Sequence, residues 1–430
     1  MYCKSLPLIF ILTGFTTASL CLEARAGDEL RPLSLPVLTL RQFVAAVTSS
    51  NLDLAAQRYA VSIAQAQLIA ARVLPNPTLN FGGARDISHE EQPASENAGL
   101  SELVELGGKR HFRVAAATRN LLATSATLDD FIRTLRGTAA NAYIDAVSAR
   151  MVVAQKQRAF GSLSRLAELN RLRMRTGDIA EVDYNQALVD SLQAKADVFT
   201  AEVAASTNSL ALVQLLGQPD APVPRCATSL DFADREFDLS SLIGHAEASR
   251  PDIVAARNTH DAALASARLA AANRVPDLTF SAALQQTEAG TNPINPSPRF
   301  DSVTFGVALP VPLFNTFRGE YLAASYTARQ SERTLRSLEL KAEVDVRQSY
   351  EHYHLARQRA AQYQGQILEL AAKVLDAKLA AYKQGGATLL DVLNAQKAET
   401  DVRLAAIDAL GERAKAFVAL EQSAGIWDIE

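Results

Sequence analysis

Proline is absent from this 430-residue sequence after Pro312, and again between Pro93 and Pro219. Two stretches of more than a hundred residues are therefore free of the strongest helix breaker. Cysteine is nearly missing: Cys3 and Cys21 lie in the N-terminal segment, and only Cys226 follows. One remaining cysteine excludes an internal disulfide framework and a cysteine zinc cluster. Aromatic residues make up 6% of the chain, with one tryptophan, while alanine is abundant. Small side chains suit close helix packing in extended bundles. The formal net charge of -4 gives no electrostatic reason to expect a nucleic-acid partner. Long apolar runs are missing too. The single candidate, Leu6 to Leu22, falls short of the roughly 20 residues a membrane helix needs. If the chain enters a membrane, it must do so as strands.

That apolar run follows Lys4 and ends in Ala24-Arg25-Ala26, a small-x-small pattern of signal-peptidase cleavage. Residues 1–26 are expected to be a secretion signal, with acylation at Cys21 as the alternative. Leu20 stands where a lipidation site wants a small residue.

The rest contains two copies of one plan. Asn51-Leu52-Asp53-Leu54-Ala55-Ala56 parallels Arg250-Pro251-Asp252-Ile253-Val254-Ala255, and Pro77-Thr78-Leu79-Asn80-Phe81 parallels Pro276-Asp277-Leu278-Thr279-Phe280. Tyr143 with Arg150 matches Tyr350 with Arg357, and Gly177, Asp183 and Ala187 match Gly385, Asp391 and Ala395. Each half (27–218 and 238–430, joined by a linker over 219–237) reads helix, strand, loop, strand, long helix, tip, returning helix. Helical hairpins are expected over 109–216, with a tip at 175–183, and over 316–424, with a tip at 383–391. A helical run of roughly 65 residues would reach close to 100 Å, several times the usual length. Gly177 and Gly385-Gly386 supply the backbone freedom a tip requires.

Strands are expected at about 77–87, 99–107, 276–287 and 301–313. Val303, Phe305, Val307, Leu309 and Val311 alternate with Thr304, Gly306, Ala308 and Pro310. Leu278, Phe280, Ala282 and Leu284 alternate with Thr279, Ser281 and Ala283. Period two with one apolar and one small or polar face fits a membrane barrel strand, or a half-buried hairpin in a soluble sheet. The second strand carries Glu102 and Glu105 and is weaker. Four strands cannot close, since the smallest membrane barrels have about eight. Strands in lipid must therefore be pooled, and three chains would give about 12.

Enzyme chemistry is not evident. His352 and His354 are two apart on a helix and point to different faces. His89 beside Glu90 and Glu91 reads as a solvated loop. Gly107-Gly108-Lys109-Arg110 lacks the spacing of a phosphate loop. No catalytic, cofactor or resident metal site is expected.

The leader, tandem repeat, strand pairs and long hairpins together resemble the TolC family of outer-membrane efflux channels. The tip from Tyr382 through Asp391-Val392-Leu393-Asn394-Ala395 carries the most specific match. Glu105-Leu106-Gly107-Gly108-Lys109-Arg110 is similar to the CzcC-like subgroup serving heavy-metal efflux. The resemblance implies a mainly α fold with a membrane β-barrel. A homotrimer would pool a 12-stranded barrel in outer-membrane lipid and an α-helical barrel across the periplasm. It implies a passive conduit whose tip is opened by an adaptor (membrane-fusion) protein and an inner-membrane RND pump.

By the same resemblance Asp391 falls on a pore-facing ring near the closed end. Asn394 stands where a second aspartate would be, and Tyr382 and Asp183 take part in holding the tip closed. Ala387 replaces the partnering arginine. Gly177, Asp178, Gly385, Gly386 and Thr388 become candidates for adaptor docking, and Val303, Phe305, Val307, Leu309, Leu278 and Phe280 for contact with lipid. From the residues alone, Asp391 reads first as a cap of the returning helix. The competing functions are export of drugs, organic solutes or polypeptide through the same kind of channel, and a soluble periplasmic coiled-coil scaffold.

Overall fold

The computed structural model describes residues 38–85, 93–219, 224, 226, 230, 234–290, 294 and 296–427. The expected leader, most of the linker, and His89, Glu90 and Glu91 lie outside them.

Each half opens with two helices where one was expected. In the first half these are α1 (Leu40–Ser50) and α2 (Leu52–Arg72). The break falls at Asn51, whose extended backbone lets its side chain cap α2 by accepting from the Leu54 N–H at 2.9 Å. Strands β1 (Thr78–Ala84) and β2 (Ser95–Val104) follow, then α3 (Lys109–Arg175) and α4 (Glu181–Leu216). The second half repeats this as α5 (Leu239–Ser249), α6 (Pro251–Ala272), β3 (Leu278–Thr287) and β4 (Phe300–Ala308). Its initial break is at Arg250, where the following Pro251 disfavours helical backbone. The second hairpin rises through α7 (Arg318–Gln362), a π-helical turn (Tyr363–Ile367) and α8 (Leu368–Lys383), and returns as α9 (Leu389–Ala424).

Helix α3 runs 67 residues without interruption, about 100 Å at 1.5 Å per residue. Its counterpart is not continuous, because the π turn at Tyr363–Ile367 divides α7 from α8. The two ascending helices also start differently. Gly108 precedes α3 with φ +73°, whereas Phe317 precedes α7 with φ +54°, a left-handed conformation costly for a side chain with a Cβ.

The four strands form one antiparallel sheet in the order β1-β2-β3-β4. The halves meet along β2 and β3, in register from Ser95↔Thr287 to Val104↔Leu278. β1 and β4 are open edges. Paired residues share a face, so Leu79, Phe81, Ala98, Leu100, Phe280, Ala282, Leu284, Val303, Phe305 and Val307 all lie on one side. Thr78, Asn80, Ser101, Thr279, Ser281, Ser302 and Thr304 occupy the other. The apolar side is open: Phe305 is 80% exposed and Phe81 75%. An apolar face of this extent, on a sheet with no partner layer among the described residues, does not belong in water. Glu102, opposite Phe280, interrupts that face two residues from one end, and Glu96, Gln286 and Asp301 interrupt it at the other.

Strands β2 and β4 differ most from expectation, and β1 ends at Ala84. β2 starts at Ser95 and stops at Val104, because Glu105 turns away to pair with Arg113 at 2.6 Å. β4 stops at Ala308, since Pro310 and Pro312 have no N–H to donate to a ladder. Leu309 therefore lies just past the strand.

The main core sits where the short helices pack on the middle of the long ones. Phe43, Val47, Leu54, Ile144, Val147, Leu212, Leu242, Val346, Phe417 and Val418 fill it. Alanines such as Ala139, Ala140, Ala146, Ala414 and Ala416 let the helix axes approach closely. Gly411 lies against Ser148, where a Cβ would come within 2.9 Å of the hydroxyl oxygen. Tyr143 donates to the Leu38 carbonyl at 2.7 Å. The residue doing this in the second half is Tyr353, donating to Arg235 at 3.0 Å, and not Tyr350, which stacks on His354. The repeat match had pointed to Tyr350, one turn away from the working tyrosine. Under α6, Arg250 bonds Asp252 at 2.6 Å and the Ser423 carbonyl at 3.2 Å.

Candidate channel tip

Both hairpins turn by the same hydrogen-bond pattern. In the first, the Asp178 N–H donates to the Arg173 carbonyl at 2.8 Å and the Gly177 N–H to Met174 at 3.1 Å. In the second, Gly386 donates to Ala381 at 2.8 Å and Gly385 to Tyr382 at 3.1 Å. These are six-to-one helix closures, which need a left-handed residue at the turn. Gly177 (φ +81°) and Gly385 (φ +79°) provide it. A Cβ at either would meet nothing within 4 Å, so both turns face open space.

The returning helices start differently. Thr388 caps α9: its hydroxyl accepts from the Asp391 N–H at 3.2 Å. The Asp391 carboxylate in turn accepts from the Thr388 N–H at 3.1 Å and its hydroxyl at 2.8 Å. Lys378 of α8 adds a contact at 3.3 Å. The Thr388 backbone N–H, then its hydroxyl, then Lys378 hold the Asp391 carboxyl below the usual carboxylate range. So Asp391 is a helix-capping residue within the protomer, still partly exposed. α4 has no side-chain cap, only Glu181 and Asp183 in its first turn. Asp183 is exposed, and among the described residues it makes no ion pair.

Tyr382 is 5% exposed and belongs to a small separate core with Leu166, Ala167, Ala187, Leu389 and Val392. Ala387, standing where the resemblance expects an arginine, packs against this core. The Tyr382 hydroxyl donates to the Asn170 side-chain oxygen at 2.7 Å. The Arg173 guanidinium lies over its ring at 5.1 Å and donates to its carbonyl at 3.4 Å. Asn170 and Arg173 were not singled out in the sequence. Nothing in their spacing separates them from the other polar residues of α3.

Asn394 is exposed and lies in a groove of about 480 Å³ together with Lys156, Gln186, Asp190, Asp197 and Asp401. Asp183, Asp190 and Asp197 recur every seven residues along α4, a spacing readable in advance. Lys156 bonds Asp197 at 2.8 Å, which holds that carboxyl low despite some burial. The structure thus brings Tyr382, Asp391 and both glycine turns to one end of the molecule, and the strands to the other. Among the described residues no cluster of three or more His, Cys, Asp or Glu is arranged to hold a metal ion.

A half-open sheet with an apolar outer face, standing on hairpins of about 100 Å, defines a membrane channel assembled from several chains. Residues 45–218 and 242–426 match the family model described as outer membrane efflux protein, and the chain belongs to that family. It is an outer-membrane channel component reaching into the periplasm, and a conduit without enzymatic activity. Family members are trimeric and work with adaptors and inner-membrane pumps. The chain is 25% identical over 427 residues to the cobalt-zinc-cadmium resistance protein CzcC of Cupriavidus metallidurans, covering 98% of each. It is 26% identical to the pyoverdine export outer membrane protein OpmQ of Pseudomonas aeruginosa, covering 89% of this chain and 83% of that one. The fold matches the crystal structure of the outer membrane protein VceC from Vibrio cholerae with a TM-score of 0.72 at 18% identity, over 90% and 96% of the two chains.

Proposed function

We propose that three copies of this chain form the exit duct of a tripartite system expelling divalent heavy-metal cations of the cobalt, zinc, cadmium, copper and nickel class. An inner-membrane RND pump supplies the energy, and an adaptor engages the turns at 175–183 and 383–391. The end-to-end likeness to a cobalt-zinc-cadmium resistance protein carries this reading of the cargo. The Glu105–Arg110 stretch accompanies it.

Asp391 supports a cation path. Its carboxylate is held ionised by Thr388 and Lys378, and three copies around a narrow opening would attract cations and repel anions. Asn394, one turn further on, adds a polar but neutral position. Tyr382 and Asp183 belong to the closed state, the first buried and bonded, the second free to meet a neighbouring copy.

Deleting the gene and measuring accumulation of each metal against a panel of drugs tests the reading. Raised cobalt, zinc or cadmium with unchanged drug sensitivity is expected. Unchanged metal levels with raised drug sensitivity would replace it with export of organic solutes. The likeness to a pyoverdine exporter makes that the second reading.

A further inference from the structure

The chain crosses between sheet and helices four times, and an arginine stands at each crossing. Arg72 ends α2, Arg110 begins α3, Arg274 follows α6 and Arg318 begins α7. All four are exposed, and none is in an ion pair among the described residues. Neighbouring cations behave differently, which makes the four distinctive. Lys109 is bonded to Asp277 at 2.7 Å and Arg113 to Glu105 at 2.6 Å, so the local carboxylates at 105 and 277 are already taken. Glu102 and Glu320 are the other acidic groups at this end, both exposed.

The crossings are brought together physically. Arg110 donates to the Arg72 carbonyl at 2.9 Å. A hollow of about 410 Å³ is lined from Leu103, Arg274, Val275, Val311, Leu313 and Phe314. Apolar side chains crowd the same level: Val73, Leu74, Val275, Val311 and Leu313 are exposed, and Phe314 is 101% exposed. The far end of the sheet is different, with Glu96, Glu288 and Asp301 among its charges beside Arg85 and Arg299.

Guanidiniums with no carboxylate partner among the described residues, level with exposed aliphatic and aromatic side chains just where an apolar sheet face ends, match the boundary between lipid tails and headgroups. We propose that this collar binds the anionic phospholipid headgroups of the periplasmic leaflet. The arginines take the phosphate oxygens, and Val311, Leu313 and Phe314 lie against the upper acyl chains. Arginine suits the role because its fork of donors grips a phosphate bidentately. The inference rests on the membrane location of the sheet and not on the identity of the cargo.

Electron spin resonance of the full channel in phosphatidylcholine vesicles tests it, using spin-labelled phosphatidylglycerol against spin-labelled phosphatidylcholine. A preference of about fivefold or more for the anionic lipid is expected, the scale of one well-placed basic residue at a membrane surface. High salt should reduce it, R72Q/R110Q/R274Q/R318Q should bring it close to one, and the four lysine replacements should keep most of it. Equal association of both lipids with the native channel overturns the proposal, as does a preference that the four glutamines leave unchanged. If the glutamine variant fails to assemble, the native preference and its salt dependence decide. No preference there, with assembly lost, assigns the arginines to contacts between copies instead.

Discussion

The Tyr382 hydroxyl donates to the buried side-chain oxygen of Asn170 at 2.7 Å, tying the end of α8 to α3 across the tip. The Asn170 side-chain nitrogen is buried with no partner of its own. The bond therefore joins the two hairpins at a site where a lost partner cannot be replaced by water at no cost.

Tyr382→Phe keeps the ring under Arg173 and removes only that bond. It should loosen the tip by roughly 1 kcal/mol. Higher open probability in planar bilayers and faster amide exchange over 378–392 are the expected results. Unchanged values in both would show that the bond does not restrain the opening.

Asp391 has two separable duties. Thr388→Ala removes the cap, costing about 1 kcal/mol of helix stability, and leaves the charge. Asp391→Asn removes the charge. Single-channel reversal potentials should show reduced cation preference in the second variant and retained preference in the first.

Acid should act through the same carboxylate. Its folded pKa is depressed by Thr388 and Lys378. The stability it contributes is thus whole above the unfolded value of about 3.9, and is lost as pH falls through the lower folded value. Melting of the tip, followed by exchange between pH 6 and pH 3, should lose its acid sensitivity in Asp391→Asn.

The two faces of β4 should respond oppositely to charge. Phe305→Lys places an ammonium in the lipid-facing row, at about 2–4 kcal/mol if near mid-bilayer. Thr304→Lys points to the other side. Folding into vesicles, read by heat-modifiable mobility, should fail or weaken for the first and proceed for the second.

Cys226 is buried, and desolvation pushes its thiol up to about 11 in spite of nearby Arg150. A maleimide at pH 7.5 should leave it unmodified in the folded channel and label it fully in denaturant. Rapid labelling of the native protein would show that the segment around it opens.

Much of this architecture was legible beforehand, for physical reasons. The alternation from Val303 to Val307 reports a sheet with two different surroundings, and the strand pairs follow it closely. Gly177 and Gly385 announced their turns because few other residues tolerate positive φ. Glu102 blurred β2, since its face had to be inferred through neighbouring strands. The prolines after Leu309 marked the end of β4 and were overrun in favour of the apolar alternation. The π turn at Tyr363–Ile367 has no proline, and its one local sign, Gly365 at its centre, does not stand out from the other glycines inside the long helices. At the tip, Asp391 reads as a cap of the returning helix, whereas Thr388, the residue at the cap position, entered only as a docking candidate. Asn170 and Arg173 could not be found, because what selects them is a tyrosine more than two hundred residues away.

The strand order makes the junctions inside and between subunits alike. Inside one subunit the last strand of the leading copy zips to the first strand of the trailing copy. Where subunits meet, β4 would zip to the next β1, which is the same kind of junction. A ring of three chains would thus alternate two versions of one junction, β2 with β3 inside a chain and β4 with β1 between chains, and present six helical hairpins.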